Sequence, residues 1–159
     1  MTAPLRASLM VTCLNDLFFP EVGVSIVRLL RRLGVAVDFP GGQTCCGLPL
    51  FNSGYHREAA KIAARTVGLF AGSEHVVVPS GSCAWMVKHE YPGLIPDPAA
   101  RAAAEGLAAR TYELSQFLVN VLDYGLSARE AVSLPRFGTF PIDDAGGLDV
   151  SANWIDPAF

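Results

Sequence analysis

Three short apolar segments of this chain each lead into a turn that contains cysteine, and a helical pattern follows each turn. The segments cover residues 7–14, 35–39 and 75–78, and they consist mainly of residues that suit β-strands. Strands that alternate with helices predict a parallel sheet, in which binding groups collect beyond the carboxyl ends of the strands. We therefore expect an α/β fold, with a small parallel sheet of three or more strands flanked by helices in a single domain.

Proline, glycine and polar caps mark the predicted helix boundaries. One helix is predicted from Pro20 to its stop at Gly34, and a second from about Asn52 to Ala71. A third, shorter helix is expected to start near Cys83. Helices between successive strands are the connections that parallel pairing requires.

The last third of the chain gives weaker signals. Helical patterns over residues 98–110 and 114–124 are consistent with packing. After residue 125, glycine and proline recur without a period. We expect a domain over residues 1–125 and an irregular C-terminal extension over residues 126–159.

All four cysteines lie in turns that follow predicted strands. Cys13 follows the first strand, the adjacent Cys45 and Cys46 follow the second, and Cys83 follows the third. Loops after neighbouring parallel strands meet at one edge of a sheet, so these thiols are expected to lie close together. Because thiolates bind zinc, iron–sulfur clusters or copper(I), the sequence predicts one metal or cluster site with these four ligands.

The spacing of the cysteines favours a cluster over structural zinc. Zinc sites usually take their ligands as two C-x2-C pairs. Here about thirty residues precede the adjacent pair Cys45 and Cys46, and a similar gap follows it. Zinc is the weaker alternative.

Composition limits the compartment and the partners. A formal net charge of −3, with 12 Lys and Arg in 159 residues, gives no reason to expect nucleic acid as a partner. The apolar run after Arg6 is short and turns polar at Asn15, so neither an export signal nor a membrane span is expected. We accordingly expect a cytoplasmic protein with reduced thiols, and two disulfides are the less favoured alternative.

Four phrases of the sequence resemble a known family. They are VTCL at residues 11–14, FPGGQTCCG at 39–47, NSGYH at 52–56 and PSGSCA at 79–84. Together they resemble the cysteine-rich CCG domain family over about residues 8–124, and within it the lactate-utilisation proteins most of all. The cysteine-rich subunit of heterodisulfide reductase and the iron–sulfur subunit of glycolate oxidase belong to the same family.

The resemblance implies a cofactor and a redox role. Domains of this family carry iron–sulfur clusters, which implies a 4Fe–4S cluster on Cys13, Cys45, Cys46 and Cys83, with Gly47 permitting a tight turn beside the paired thiols. The implied function is electron transfer within a cytosolic system that oxidises L-lactate or a related 2-hydroxy acid. The implied partners are other iron–sulfur subunits of a lactate-oxidising complex, and a homo-oligomer is compatible with this role.

Two departures from the family pattern bear on activity. Some members end the motif with C-x-x-C, whereas Ser80 stands at the place of the first of those cysteines, which argues against a five-cysteine cluster. Lactate-utilisation proteins normally continue into a second CCG domain, and here no cysteine follows Cys83. The chain therefore resembles the first half, and whether this oxidoreductase subunit is active by itself is left open.

Two further functions remain open. One is a non-catalytic assembly module of a multi-subunit oxidoreductase, with empty thiols in the isolated chain. The other, ranked last, is a thiol–disulfide enzyme that uses Cys45 and Cys46.

The histidines and the residues after Cys83 have ordinary interpretations as well as functional ones. His56 is expected to be a surface or capping residue, and His75 and His89 are expected to be solvated. Trp85 and Met86 either shield a cluster from water or pack in the core.

Overall fold

The computed structural model describes residues 4–119 of the chain. Its strands are β1 (Arg6–Leu9), β2 (Ala36–Asp38), β3 (Val76–Val78) and β4 (Thr111–Glu113). Its helices are α1 (Cys13–Phe18), α2 (Pro20–Arg32), α3 (Leu48–Asn52), α4 (His56–Leu69), α5 (Gly81–Trp85), α6 (Tyr91–Leu94), α7 (Pro98–Ala109) and α8 (Leu114–Gln116), and a π-helical turn (Met86–Glu90) joins α5 to α6. The predicted extension over residues 126–159, and the end of the helix predicted over 114–124, lie outside the described residues.

The four strands form one parallel sheet in the order β2–β1–β3–β4. Ala7 of β1 pairs with Val37 of β2, and Leu9 of β1 pairs with Val77 of β3. The α/β architecture predicted from the sequence is confirmed. The order reverses between β1 and β3, and such a switch point creates a crevice at the carboxyl ends of the two strands.

One face of the sheet packs against α2. Ile26 and Leu30 of α2 are buried together with Leu9 of β1, Val77 of β3 and Tyr112 of β4. The arginines of α2 are exposed on its opposite side. This amphipathic pattern explains why the helix was recognisable in the sequence.

The other face of the sheet packs against α4, α7 and the π-helical turn. Val76 and Val78 of β3 point to this side and join Met10, Ala63 and Leu107 in the larger core cluster. All three valines of β3 are fully buried, as expected for a central strand covered on both faces. The sheet is therefore a closed layer, and its carboxyl edge is the end that carries loops with chemistry.

Two details of the strands differ from the sequence prediction. β1 ends at Leu9, and Cys13 is the first residue of α1 instead of the end of a strand. Thr12 causes this, because its hydroxyl accepts a hydrogen bond from the backbone N–H of Asn15 and caps the helix. β4 is a strand that the sequence patterns do not indicate, since three residues between two helices are too few to show an alternation.

Among residues 4–119, no helix combines the length and the apolar character that crossing a bilayer requires.

Candidate metal centre

The four cysteines come from three segments that follow β1, β2 and β3. Cys13 starts α1, Cys45 and Cys46 lie in the loop between β2 and α3, and Cys83 lies in α5. All four are free thiols. The fold thus brings to one edge of the sheet the residues that the sequence pattern singled out.

The sulfur atoms form two close pairs. Cys13 Sγ lies 3.6 Å from Cys45 Sγ, and Cys46 Sγ lies 3.3 Å from Cys83 Sγ. The first pair is half-buried and the second is buried. Because Cys45 and Cys46 are adjacent, their Cα atoms are about 3.8 Å apart, so the two pairs lie side by side.

The pairs are not arranged as the shell of a single ion. Within residues 4–119, no three side chains of His, Cys, Asp or Glu are grouped so that they could hold one metal ion. The donor set is four sulfur atoms, which suits soft metals and iron–sulfur clusters.

Gln43 ties the cysteine loop to the end of β1. Its Oε1 accepts a hydrogen bond from the N–H of Val11 at 3.0 Å. Its Nε2 donates to the carbonyl of Leu9 at 2.9 Å and to that of Pro40 at 3.0 Å. One half-buried side chain therefore fixes the distance between the Cys13 segment and the loop that carries Cys45 and Cys46.

The turn after the paired cysteines depends on Gly47. Its φ of +87° is in the left-handed region, and a Cβ atom there would lie 3.4 Å from Cγ2 of Ile62. In this conformation the Gly47 N–H donates to Cys45 Sγ at 3.4 Å. The other side of the loop is held by Tyr91, whose buried hydroxyl donates to the carbonyl of Cys46 at 2.9 Å.

Comparison with known proteins agrees with this geometry. The sequence pattern of the CCG cysteine-rich domain family matches residues 7–88, which include all four cysteines. The chain belongs to the CCG cysteine-rich domain family.

The chain also resembles individual curated proteins. Over 119 residues, 74% of this chain, it is 54% identical to Lactate utilization protein A of Halalkalibacterium halodurans and 56% identical to that of Geobacillus kaustophilus. It is 51% identical over the same length to Lactate utilization protein A 2 of Bacillus cereus. The match covers 48% to 49% of those proteins, so the chain spans about half the length of the curated relatives. No solved structure gives a significant match.

The thiols of this CCG domain differ in acidity. A hydrogen bond from the Cys46 thiol lowers the pKa of Cys83 to about 6, although burial opposes the shift. The same hydrogen bond, together with burial, raises the pKa of Cys46. Burial and the Cys45 thiol raise the pKa of Cys13. The inner pair is thus arranged as one thiolate and one thiol.

The other residues considered in the sequence have mixed outcomes in the CCG domain. His56 is exposed at the start of α4, and its ring stacks on Phe51 with centroids 4.9 Å apart. Met86 is fully buried in the core cluster that contains Cys46 and Cys83, whereas Trp85 is half exposed and stacks on His89.

The expectation of a solvated His75 is wrong. Its side chain is 16% exposed and packs against Tyr112 and Phe117. The reason is β4, which the sequence patterns did not indicate and which covers this end of β3.

Two residues that shape the site were not singled out in the sequence. Gln43 stands two positions before Cys45 in a proline- and glycine-rich turn, where an isolated amide is a usable signal for a loop-bridging side chain. Tyr91 had no such signal, because its contact with Cys46 joins residues 45 positions apart.

An apolar groove of about 320 Å³ lies on the α2 side of the same edge. Val22 and Ile26 of α2, Pro79 after β3 and Leu114 after β4 line it. Its charged lining residues are Glu21 and Glu113.

Proposed function

We propose that this chain holds an iron–sulfur cluster, of the 4Fe–4S type, through Cys13, Cys45, Cys46 and Cys83, and that it transfers electrons in the oxidation of L-lactate or a related 2-hydroxy acid. The observation that carries the proposal is the meeting of four free thiols from three separate loops in two adjacent pairs. Reduced thiols of this kind require a reducing compartment, and we place the protein in the cytoplasm.

The donor set fits the proposed cofactor. Cysteine thiolates are the usual ligands of iron–sulfur clusters, and four of them complete the set for one cluster. A centre with several metal atoms can draw on two separate sulfur pairs, because each metal atom needs only part of the set. When bound, such a cluster would accept and release single electrons.

The chain's own groups support the thiols in this role. The N–H of Gly47 donates to Cys45 Sγ, and hydrogen bonds to cluster sulfurs are one of the means by which proteins adjust reduction potentials. Met10 and Met86 pack with Cys46 and Cys83 in the core and keep water from the inner pair. The Tyr91 hydroxyl holds the Cys46 carbonyl in place.

The neighbouring groove argues that a 2-hydroxy acid is oxidised elsewhere. A substrate carboxylate needs a cationic or N–H partner, whereas the groove presents the side chains of Glu21 and Glu113 on an apolar wall. We therefore assign oxidation of the hydroxy acid to a partner subunit and electron transfer to this chain. The link to lactate comes from the name of the relatives, Lactate utilization protein A.

Anaerobic reconstitution with iron and sulfide tests the proposal. We expect bound iron and acid-labile sulfide in the wild-type chain, and loss of both when all four cysteines are replaced by alanine. Thr44→Ala is the matched control, because Thr44 is exposed and adjacent to Cys45. Absence of iron from the wild type, iron that survives the four replacements, or zinc in its place would refute the proposal.

An assembly module with empty thiols is the second candidate, and the exposed apolar side chains of α1 favour it. The two functions differ in their dependence on the thiols. Partner binding that is unaffected by Cys45→Ser, in a chain that takes up no iron, would favour assembly over electron transfer.

A further inference from the structure

Large exposed apolar side chains of residues 4–119 concentrate at the edge of the sheet where the thiols meet. At this edge they are Leu14, Leu17, Phe18, Phe19, Phe39 and Trp85. The three cysteine-bearing segments each contain or adjoin at least one of them. Contiguous apolar surface on a small protein marks a site of interaction.

The highest exposure is on α1, the helix that begins at Cys13. Leu14 is 63% exposed, Leu17 73%, Phe18 67% and Phe19 55%. We call these four residues the α1 face. No residue of α1 is buried in the described part of the chain, so the helix packs weakly on its own domain. Aromatic and leucine side chains on such a surface are the groups that a partner's pocket can take up.

Charge indicates what surrounds the complementary surface. Asp16 lies within α1, which has no basic residue in its last turn, and Glu21 lies in the first turn of α2. The basic residues of α2 include Arg31 and Arg32 in its last turn, at the other edge of the sheet. A partner suited to the α1 face therefore presents an apolar surface with a basic rim.

The lengths of the relatives indicate which partner this is. The matched 119 residues are 48% of the protein from H. halodurans and 49% of that from G. kaustophilus, so each relative has about as much chain again. In those proteins the additional chain is covalently joined to the region equivalent to this domain. It is the polypeptide most available to cover the helix equivalent to α1.

We propose that the α1 face docks a polypeptide equivalent to the remainder of Lactate utilization protein A. The inference rests on the proposed function, since a partner seated beside Cys13 would lie next to the thiols that hold the cluster. It adds to that function the face through which electrons enter or leave.

Co-expression tests the docking. The full chain of 159 residues is produced together with the tagged part of the G. kaustophilus protein that lies outside the match, and the complex is isolated without oxygen. We expect the wild-type chain to be recovered with that polypeptide in a 1:1 ratio. The double variant Leu17→Glu with Phe18→Glu should reduce recovery about tenfold or more, because two charges would be buried against an apolar surface.

Leu33→Glu is the matched control. Leu33 is 51% exposed, like the residues of the α1 face, but it lies at the end of α2, just before β2. The control should leave recovery unchanged. Circular dichroism of both variants checks that the fold is retained.

Three outcomes would overturn the inference. They are no complex with the wild-type chain, equal recovery with the double variant, and a homodimer of this chain that the double variant abolishes, which would assign the α1 face to a second copy. Iron content is measured on the same samples. A complex without iron would sink the cluster proposal alone, and iron without a complex would sink the docking proposal alone.

Discussion

Cys46 Sγ lies 3.3 Å from Cys83 Sγ, although 37 positions separate the two residues in the chain. The contact is possible because Cys46 follows β2 and Cys83 follows β3, and both strands end at the same edge of the parallel sheet. A second pair, Cys13 with Cys45, lies beside it at 3.6 Å. The pairing, more than the number of thiols, determines how the metal-free protein should behave.

Oxidation of the metal-free protein should therefore produce two particular disulfides. Four cysteines allow three sets of pairings. We expect Cys13 to bond to Cys45 and Cys46 to Cys83, because each sulfur needs to move by less than about 1.6 Å to reach bonding distance. Peptide mapping after treatment with oxidised glutathione measures this.

The control for that mapping is Cys83→Ser. This variant should keep the bond between Cys13 and Cys45 and leave Cys46 as a free thiol. A bond between the adjacent Cys45 and Cys46 in the wild-type protein would contradict the prediction.

Tyr91 and Tyr112 form a matched pair for testing the support of the cysteine loop. Both are fully buried, but the Tyr91 hydroxyl donates to the Cys46 carbonyl, whereas the Tyr112 hydroxyl has no hydrogen-bond partner among residues 4–119. Tyr91→Phe should lower the free energy of unfolding by about 1 to 3 kcal/mol, because a buried carbonyl loses its partner. Tyr112→Phe should be neutral or stabilising. Denaturant titration of both variants decides, and equal losses would count against the role of Tyr91.

Gln43 offers a test of the connection between β1 and the cysteine loop. Gln43→Glu keeps the shape and the acceptor for the Val11 N–H, but it turns a charged acceptor toward the carbonyls of Leu9 and Pro40. We expect a loss of about 1 to 3 kcal/mol in the free energy of unfolding and weaker retention of iron. Thr44→Ala, at the exposed neighbouring position, should change stability by less than about 0.5 kcal/mol. Similar effects from the two substitutions would show that Gln43 does not hold the loop.

Local patterns in the sequence were sufficient for the parallel α/β fold. The apolar run of β3 and the amphipathic stripe of α2 reflect burial that each element needs whatever surrounds it. The meeting of the cysteines was also predictable, because the geometry of a parallel sheet brings together the loops at its carboxyl edge.

Features that depend on tertiary contacts could not be predicted in this way. β4 is three residues long and owes its extended form to pairing with β3. The division of the thiols into two pairs depends on the hydrogen bonds of Gln43 and Tyr91, which join segments far apart in the chain. His75 was expected in solvent because its cover, Tyr112 and Phe117, belongs to the part of the sheet that the sequence did not indicate.

Burial of His75 predicts a dependence of stability on pH. Loss of hydration lowers the pKa of its imidazole below the ordinary value of 6.5, and the Glu74 carboxylate, 3.8 Å from Nε2, opposes this shift. The unfolded chain therefore takes up the proton first as the pH falls. The stabilisation from the neutral ring is complete above the unfolded pKa and is lost below it.

We expect the free energy of unfolding to fall between about pH 7 and about pH 5, and His75→Phe to reduce that decrease because the ring keeps its packing without a proton to bind. Glu74→Gln should enlarge the decrease, since it removes the group that favours the charged ring. Denaturant unfolding of the three proteins across this range measures the slopes. Identical slopes for the wild type and His75→Phe would show that the buried imidazole does not control the acid sensitivity of the fold.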